Sequence, residues 1–289
     1  MGKNQTIFII SIMSKYHHNE NYFLIPTIKN CYWAGFIAAD GCIQNKCLTI
    51  YLSEKDDIIL KRFKKDINFT GKINYCQTKD NRYIPAKIYK SSRLIIYNNG
   101  KILTDLYKNF NIIPRKSLIL EPPNLIDKEQ ILSYIIGYID GDGTIYYINN
   151  PKQDISLCIL GTKEVLTWIN NQFNNIGLIY QKTKNKNTYA LSFTGQEARN
   201  ILKKLKKHIN KFKIKVLNRK WNKVTKEKLN QKSNPNFKLN RKKCKIITPE
   251  IIYNGWINGK TQKELSKIYQ CSITTIENRI KKYKEKYLC

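Results

Sequence analysis

The chain has 289 residues, enough for two or three small domains with cores of their own, and carries a formal charge of +31 with a pI near 9.8. That balance points to a polyanionic partner, nucleic acid first, although only eight of the 52 basic residues are Arg, a usage that an A/T-rich coding sequence would also produce. The eight cysteines form no Cys-x-x-Cys pair and the three histidines lack finger-like spacing, which argues against zinc fingers and a disulfide framework and for free thiols in a reduced compartment; no early apolar run is long enough to span a bilayer.

Residues 1–22 read as a poorly ordered leader, with His17 and His18 solvated near its end. The first structured stretch, Trp33-Ala34-Gly35-Phe36-Ile37-Ala38-Ala39-Asp40-Gly41-Cys42-Ile43, is an apolar helix that meets an acid and a glycine and turns into a strand. A hairpin follows, with a turn at Asn45-Lys46 and a strand from Cys47 to Ser53, where Leu48, Ile50 and Leu52 alternate with polar positions. Asp56 to Ile67 has helical apolar spacing. Strands are expected around residues 71–77 and 83–97, then a helix from Lys101 to Phe110, then Pro114-Arg115-Lys116-Ser117.

Pro122-Pro123 makes a rigid break, and Asp127 is placed to cap the next helix with Gln130 three residues on. That helix runs into Ile135-Ile136-Gly137-Tyr138-Ile139-Asp140-Gly141-Asp142-Gly143-Thr144-Ile145, a second version of the first stretch, and Asp142 follows Asp40 by 102 residues. The elements then replay: a hairpin with Ile155, Leu157 and Ile159 inward, a helix over 162–175, Gly177 matching Gly71, strands to Phe193, a helix from Gln196 to His208, and Asn218-Arg219-Lys220-Trp221. Residues 222–245 read as a flexible basic linker. In the tail, Thr248-Pro249-Glu250 starts a helix with Ile251, Ile252 and Trp256 on its apolar side. A second helix has Leu265 and Ile268 inward, and a third, capped by Ser272, carries Ile273, Ile276 and Ile280 at helical spacing.

Glycine inside a helix costs about 1 kcal/mol relative to Ala, so Gly35 and Gly137 imply two helix backbones in close approach. Parallel packing of those helices brings Asp40 and Asp142 together at their C-terminal ends, where the helix dipole is already negative. Such a pair calls for a compensating cation, most naturally a divalent metal.

The paired motif resembles that of the LAGLIDADG homing endonucleases in their single-chain, two-repeat form, over roughly residues 23–223. Ala38 departs from Asp140 at the sixth position, while the eighth position, which carries the metal-binding acid in that family, is Asp in both copies. The resemblance implies an α+β fold of two pseudo-symmetric αββαββα repeats forming a DNA-binding saddle. The domains are then 1–22 leader, 23–121 first repeat, 122–223 second repeat, 224–245 linker and 246–289 a small all-α helix-turn-helix.

It also implies site-specific, Mg²⁺-dependent cleavage of double-stranded DNA leaving short 3′ overhangs. Two or three divalent ions would be held by Asp40, Asp142 and the backbone at Gly41 and Gly143, with Lys116 and Lys220 as symmetric cations that stabilise charge on phosphate. The outward strand faces offer Gln44, Lys46, Thr49, Tyr51, Lys72, Asn74, Ser156, Gln181 and Lys182 for base contacts, and the tail offers Thr274, Thr275, Asn278 and Arg279. A monomer without membrane association is expected. Two alternatives share these features: an RNA maturase acting on intron RNA, and a WhiA-like transcription regulator, although such regulators have typically lost the two acids.

Overall fold

The structure is a computed structural model that describes residues 16–82, 84–97, 100–148, 153–183, 187–231, 248–269 and 271–287. It divides into two units, Met1–Asn230 and Gln231–Cys289. Among the described residues no helix is long and apolar enough to cross a membrane.

In the first unit, α1 (Ile28–Asp40) starts at a reciprocal cap, where the Asn30 amide donates to Thr27 Oγ1 at 3.2 Å and the Thr27 amide donates to Asn30 Oδ1 at 2.7 Å. This satisfies two of the donors that every helix N-terminus leaves open. The helix stops where Gly41 turns extended while its amide still donates to Ile37 O. β1 (Gly41–Gln44) and β2 (Cys47–Ser53) follow, joined by Asn45 and Lys46, both in the left-handed region at φ 49° and 60°. That is the backbone a two-residue hairpin needs to match strand twist.

The first repeat continues with α2 (Asp57–Asp66), β3 (Asn74–Asp80), β4 (Lys87–Ile96) and α3 (Gly100–Phe110). The second has α4 (Lys128–Asp142), β5 (Gly143–Tyr147), β6 (Ile155–Gly161), α5 (Lys163–Asn171), β7 (Leu178–Gln181), β8 (Tyr189–Thr194) and α6 (Gly195–Phe212). Both sheets are wholly antiparallel, ordered β1-β2-β4-β3 and β5-β6-β8-β7. The architecture is therefore two αββαββα repeats, as the motif pair implied.

Each sheet buries one face. Leu48, Ile50 and Leu52 point into the core that α2 reaches with Ile59, Leu60 and Phe63; Ile155, Leu157 and Ile159 do the same with Val165, Leu166 and Ile169 of α5. The two cores merge along α1 and α4 into one cluster. There, a Cβ added at Gly35 would sit 1.9 Å from Tyr134 O, and one at Gly137 would sit 1.8 Å from Tyr32 O. The contact is reciprocal, since Tyr32 and Tyr134 are themselves 102 residues apart. Any side chain at either glycine drives the backbones apart.

Several boundaries differ from expectation. Residues 16–22 pack on the first repeat: the His17 amide donates to Thr70 Oγ1 at 2.8 Å, and Tyr16 and His18 meet the Phe69 ring edge-on. Residues 1–15 of the expected leader lie outside the described residues. The helix after β6 ends at Asn171, because Asn174 and Asn175 are left-handed, whereas α6 runs on to Phe212. The expected linker begins inside the first unit: after α7 (Asn218–Trp221), Val224 is buried, Leu229 packs on the core from α8 (Lys226–Asn230), and Lys223 Nζ donates to Ile145 O at 2.9 Å. Residues 232–245 of that linker lie outside the described residues.

The second unit has α9 (Pro249–Ile257), α10 (Gln262–Tyr269) and α11 (Ile273–Tyr287). Thr248 caps α9, a Thr261–Glu264 capping box opens α10, and Ser272 Oγ accepts from the Thr275 amide at the start of α11. Ile252, Leu265, Ile276 and Ile280 form its core with Tyr253, Trp256 and Tyr269 against it. Ile251, Ile268 and Ile273, expected inward, are more than two-fifths exposed because these aromatic rings take the space. Cys31, Cys42, Cys47, Cys76 and Cys158 are free thiols as expected, but Cys271 is disulfide-bonded.

Candidate active site

The helix crossing fixes where the acids stand. Asp40 and Asp142 are the last residues of α1 and α4. A Cβ built on Gly141 would lie 2.3 Å from Ala39 Cβ and 3.4 Å from the Asp40 carboxylate carbon. Glycine at 141 thus leaves room for the Ala39 methyl group, which sets the Asp40 side chain beside the turn that carries Asp142. Burial pushes the Asp142 carboxyl up to about 6, with the Asp40 charge pushing the same way and Lys116 and Lys220 opposing. Asp40 is also raised, first by burial, against Lys220, Lys116 and Arg219. Because Asp40 is exposed at the surface, solvent blunts the push on it, and Asp142 is the more strongly perturbed of the two.

Each lysine is buried and aimed at a helix end. Lys116 Nζ donates to Ala39 O at 3.2 Å. Lys220 Nζ donates to Ile139 O, Asp140 O and Gly141 O at 3.0, 2.7 and 2.8 Å. Ala39 O, Asp140 O and Gly141 O are carbonyls that a helix C-terminus leaves open, whereas Ile139 O also accepts from the Gly143 amide; both cations complement the dipole of the helix end they meet. Burial lowers both lysine pKa values, and the nearby acids hold them up. The pairing is crossed: the foremost cation at Asp40 is Lys220 from the second repeat, and at Asp142 it is Lys116 from the first.

Asp140, the acid at the sixth motif position where the first copy has Ala38, is fully buried. Its Oδ2 accepts from the Tyr32 hydroxyl and the Leu217 amide, both at 2.8 Å, and its Oδ1 accepts from Trp221 Nε1 at 2.7 Å. It thus ties α1, α4 and the segment carrying Lys220 together. Burial raises its pKa to about 6, against those three hydrogen bonds.

The opposite repeat holds each lysine segment. Arg219, next to Lys220, makes a two-pronged contact with Asp56 of the first repeat, Nε to Oδ1 at 2.9 Å and Nη2 to Oδ2 at 2.7 Å. Asp56 stands at the N-cap position of α2 yet makes no side-chain cap hydrogen bond. In the second repeat the N-cap of α5 is Thr162, whose Oγ1 donates to Leu120 O at 2.7 Å, just beyond Lys116. Sequence reading missed Asp56 and Arg219. Their only local signal is an acid at a strand-to-helix junction, which usually marks a cap.

The strand register sorts the predicted base-contacting residues. Gln44, Lys46, Tyr51, Lys72 and Asn74 are exposed and Thr49 is half-buried, and all lie on or beside the open side of the first sheet. Arg93, opposite both Tyr51 and Asn74, belongs with them and was missed. In the second sheet Ser156 is fully buried, so it is a correction: it has no surface to offer. Gln181 is exposed, but it pairs with Tyr189 and shares the face of Ile179 and Leu191, the side of the sheet that packs on the core. Tyr180 takes the outward position, with Lys182 exposed beyond it. On α11, Thr274 and Asn278 are exposed opposite buried Ile276 and Ile280, Arg279 is half-buried, and Thr275 is engaged in the cap with Ser272.

The donor set suits a hard cation. Among the described residues no cluster of three or more His, Cys, Asp and Glu exists, so the site offers two carboxylates and main-chain oxygens. Mg²⁺ is commonly held in that way, by one or two carboxylates with water and substrate phosphate completing its shell.

Among solved structures, the chains similar to this one include LAGLIDADG homing endonucleases. The enzyme I-GzeII, solved with its DNA target, is 14% identical over 72% of this chain and 99% of its own, at a TM-score of 0.43. I-WcaI, bound to its recognition sequence, is 14% identical over 71% and 91% at 0.46, and I-DmoI, with DNA and Ca, is 13% identical over 65% and 90% at 0.39. No protein-family model and no curated protein matches the chain.

Proposed function

We propose that the chain is a site-specific, metal-dependent endonuclease of double-stranded DNA, acting as a monomer because both halves of the site lie on one chain. The observation that carries this reading is the placing of two perturbed carboxylates side by side at a glycine-tight helix crossing, with a buried lysine facing each. Asp40, Asp142 and the adjoining main chain at Gly41 and Gly143 would hold Mg²⁺, two or three ions in all. A bound divalent ion supplies Lewis-acid stabilisation to phosphate oxygens and makes water a stronger nucleophile.

The chain's own groups do the rest. The glycine crossing sets the spacing of the acids, and Lys116 and Lys220 provide fixed positive charge where it accumulates on phosphate. The open sheet faces, with Tyr51, Asn74, Arg93 and Tyr180, supply side chains for groove contacts, and short 3′ overhangs are the product expected. The tail adds a second duplex contact through Thr274 and Asn278.

The test is incubation of the purified chain with a randomised duplex library and Mg²⁺, followed by sequencing of cut ends. Recovery of one site, lost with Asp40→Asn or Asp142→Asn while duplex binding persists, supports the reading. A doubly substituted protein that cuts as well as wild type ends it.

A further inference from the structure

The two halves of the site are built alike in their acids and lysines and differently in what stands behind them. Among the described residues, the charges that act on Asp40 are those of Lys220, Lys116, Arg219 and Asp56, and on Asp142 those of Asp40, Lys116 and Lys220. Arg219 is clamped by Asp56 in the planar two-pronged geometry that fixes a guanidinium most firmly. Its counterpart is Arg115, which likewise precedes the lysine. Arg115 is exposed, as Arg219 is, but has a left-handed backbone at φ 56° and makes no ion pair among the described residues. The reason is local: the place of Asp56 in the second repeat is taken by Thr162, whose hydroxyl is committed to Leu120 O.

We propose that Asp56 is a positioning residue for one strand's cleavage only, acting through Arg219 on Lys220 and Asp40, while Arg115 is an unclamped cation that contacts phosphate in the other half. The inference rests on the endonuclease reading. Asp56 holds a guanidinium beside one acid before substrate arrives, so that half is preorganised. The other half must order Arg115 when the duplex binds, at the cost of its side-chain freedom. The strands are therefore cut at unequal rates and respond to different substitutions.

The experiment uses the full chain, Mg²⁺ and the duplex recovered from the library, labelled separately on each strand, under single-turnover conditions. Asp56→Asn and Arg219→Gln should slow the same strand by about tenfold or more, with the other strand within about twofold; Asp56→Glu should recover most of that loss. Arg115→Gln should slow the opposite strand. Thermal unfolding of each variant separates misfolding from misplacement, and if Asp56→Asn does not fold, Arg219→Gln carries the test. Equal slowing of both strands, no slowing, or both arginines acting on one strand overturns the proposal with the endonuclease reading intact. A wild-type protein that cuts no duplex overturns both.

Discussion

The Tyr32 hydroxyl donates to the Asp140 carboxylate at 2.8 Å across the helix crossing. The same bond cannot form on the other side, where Ala38 stands in place of Asp140, and the Tyr134 hydroxyl is buried without a partner among the described residues. The crossing is therefore symmetric in backbone and asymmetric in polar chemistry. Asp140→Ala would leave Tyr32, the Leu217 amide and Trp221 Nε1 without their acceptor, and should destabilise the protein by about 3–5 kcal/mol in urea unfolding. Asp140→Asn keeps an oxygen for some of these donors and should cost less. Stability unchanged in Asp140→Ala would contradict the tie described here.

The glycine crossing gives a sharper contrast. Gly35→Ala and Gly137→Ala each place a methyl group within 2 Å of a carbonyl oxygen and should each lose about 3 kcal/mol or more, since backbone cannot yield as a side chain can. Gly100→Ala meets nothing within 4 Å and should stay within about 0.5 kcal/mol of wild type. Chemical denaturation of the three variants reads the difference directly.

The lysines should separate in the same assay. Lys220→Met leaves Asp140 O and Gly141 O without the lysine donor while Ile139 O keeps the Gly143 amide, and Lys116→Met affects Ala39 O alone. Buried carbonyls left without a donor are costly, so the first substitution should exceed the second by roughly 1 kcal/mol.

Acidity follows from the carboxyl held at about 6 on Asp142, against an ordinary value near ~4. A carboxyl with a raised folded pKa binds its proton more tightly in the folded state than in the unfolded one. The stability of the metal-free protein should therefore fall as pH rises from about 4 to about 6 and level off above. Asp140, raised to a similar value, contributes to the same slope, so Asp142→Asn should reduce it without abolishing it. At pH 7 without metal, Asp142→Asn should be more stable than wild type, as expected for a group kept for function. Differential scanning calorimetry across that window checks both statements.

Mg²⁺ should reverse the order at pH 7. Binding to the folded state alone stabilises by about 2.7 kcal/mol at a hundredfold excess over Kd, and Asp40→Asn and Asp142→Asn should forfeit that gain. Below pH about 6 the wild-type gain should shrink too, because a protonated Asp142 is a poor ligand. A thermal shift that ignores both pH and substitution would remove the metal from the account.

Much of the fold was legible because its signals are local. The acid-glycine helix stops, the alternation over Leu48, Ile50 and Leu52, and the Asn45-Lys46 turn each lie within a few residues. What was hidden is long-range: Asp56 meets Arg219 across 163 positions, and Asp140 meets Trp221 across 81. Gln181, although exposed, stands one position off the open face. A strand's side chains alternate between faces, so a shift of one residue moves a side chain from the open side to the core, and the true counterpart of Asn74 is Tyr180. Residues 16–22 and 222–231 looked like solvated tails because their anchors, Val224 and Leu229 among them, are sparse in a Lys- and Asn-rich stretch.

The reciprocal holding of the lysine segments has a consequence for ancestry. Were the two repeats descended from one self-associating half, that half had to fit a copy of itself. With Asp140 facing Tyr32, and Asp56 rather than threonine receiving Arg219, neither repeat any longer offers what its own duplicate would require. Two copies of either half would meet with mismatched polar surfaces, so divergence has turned interchangeable siblings into an obligate pair.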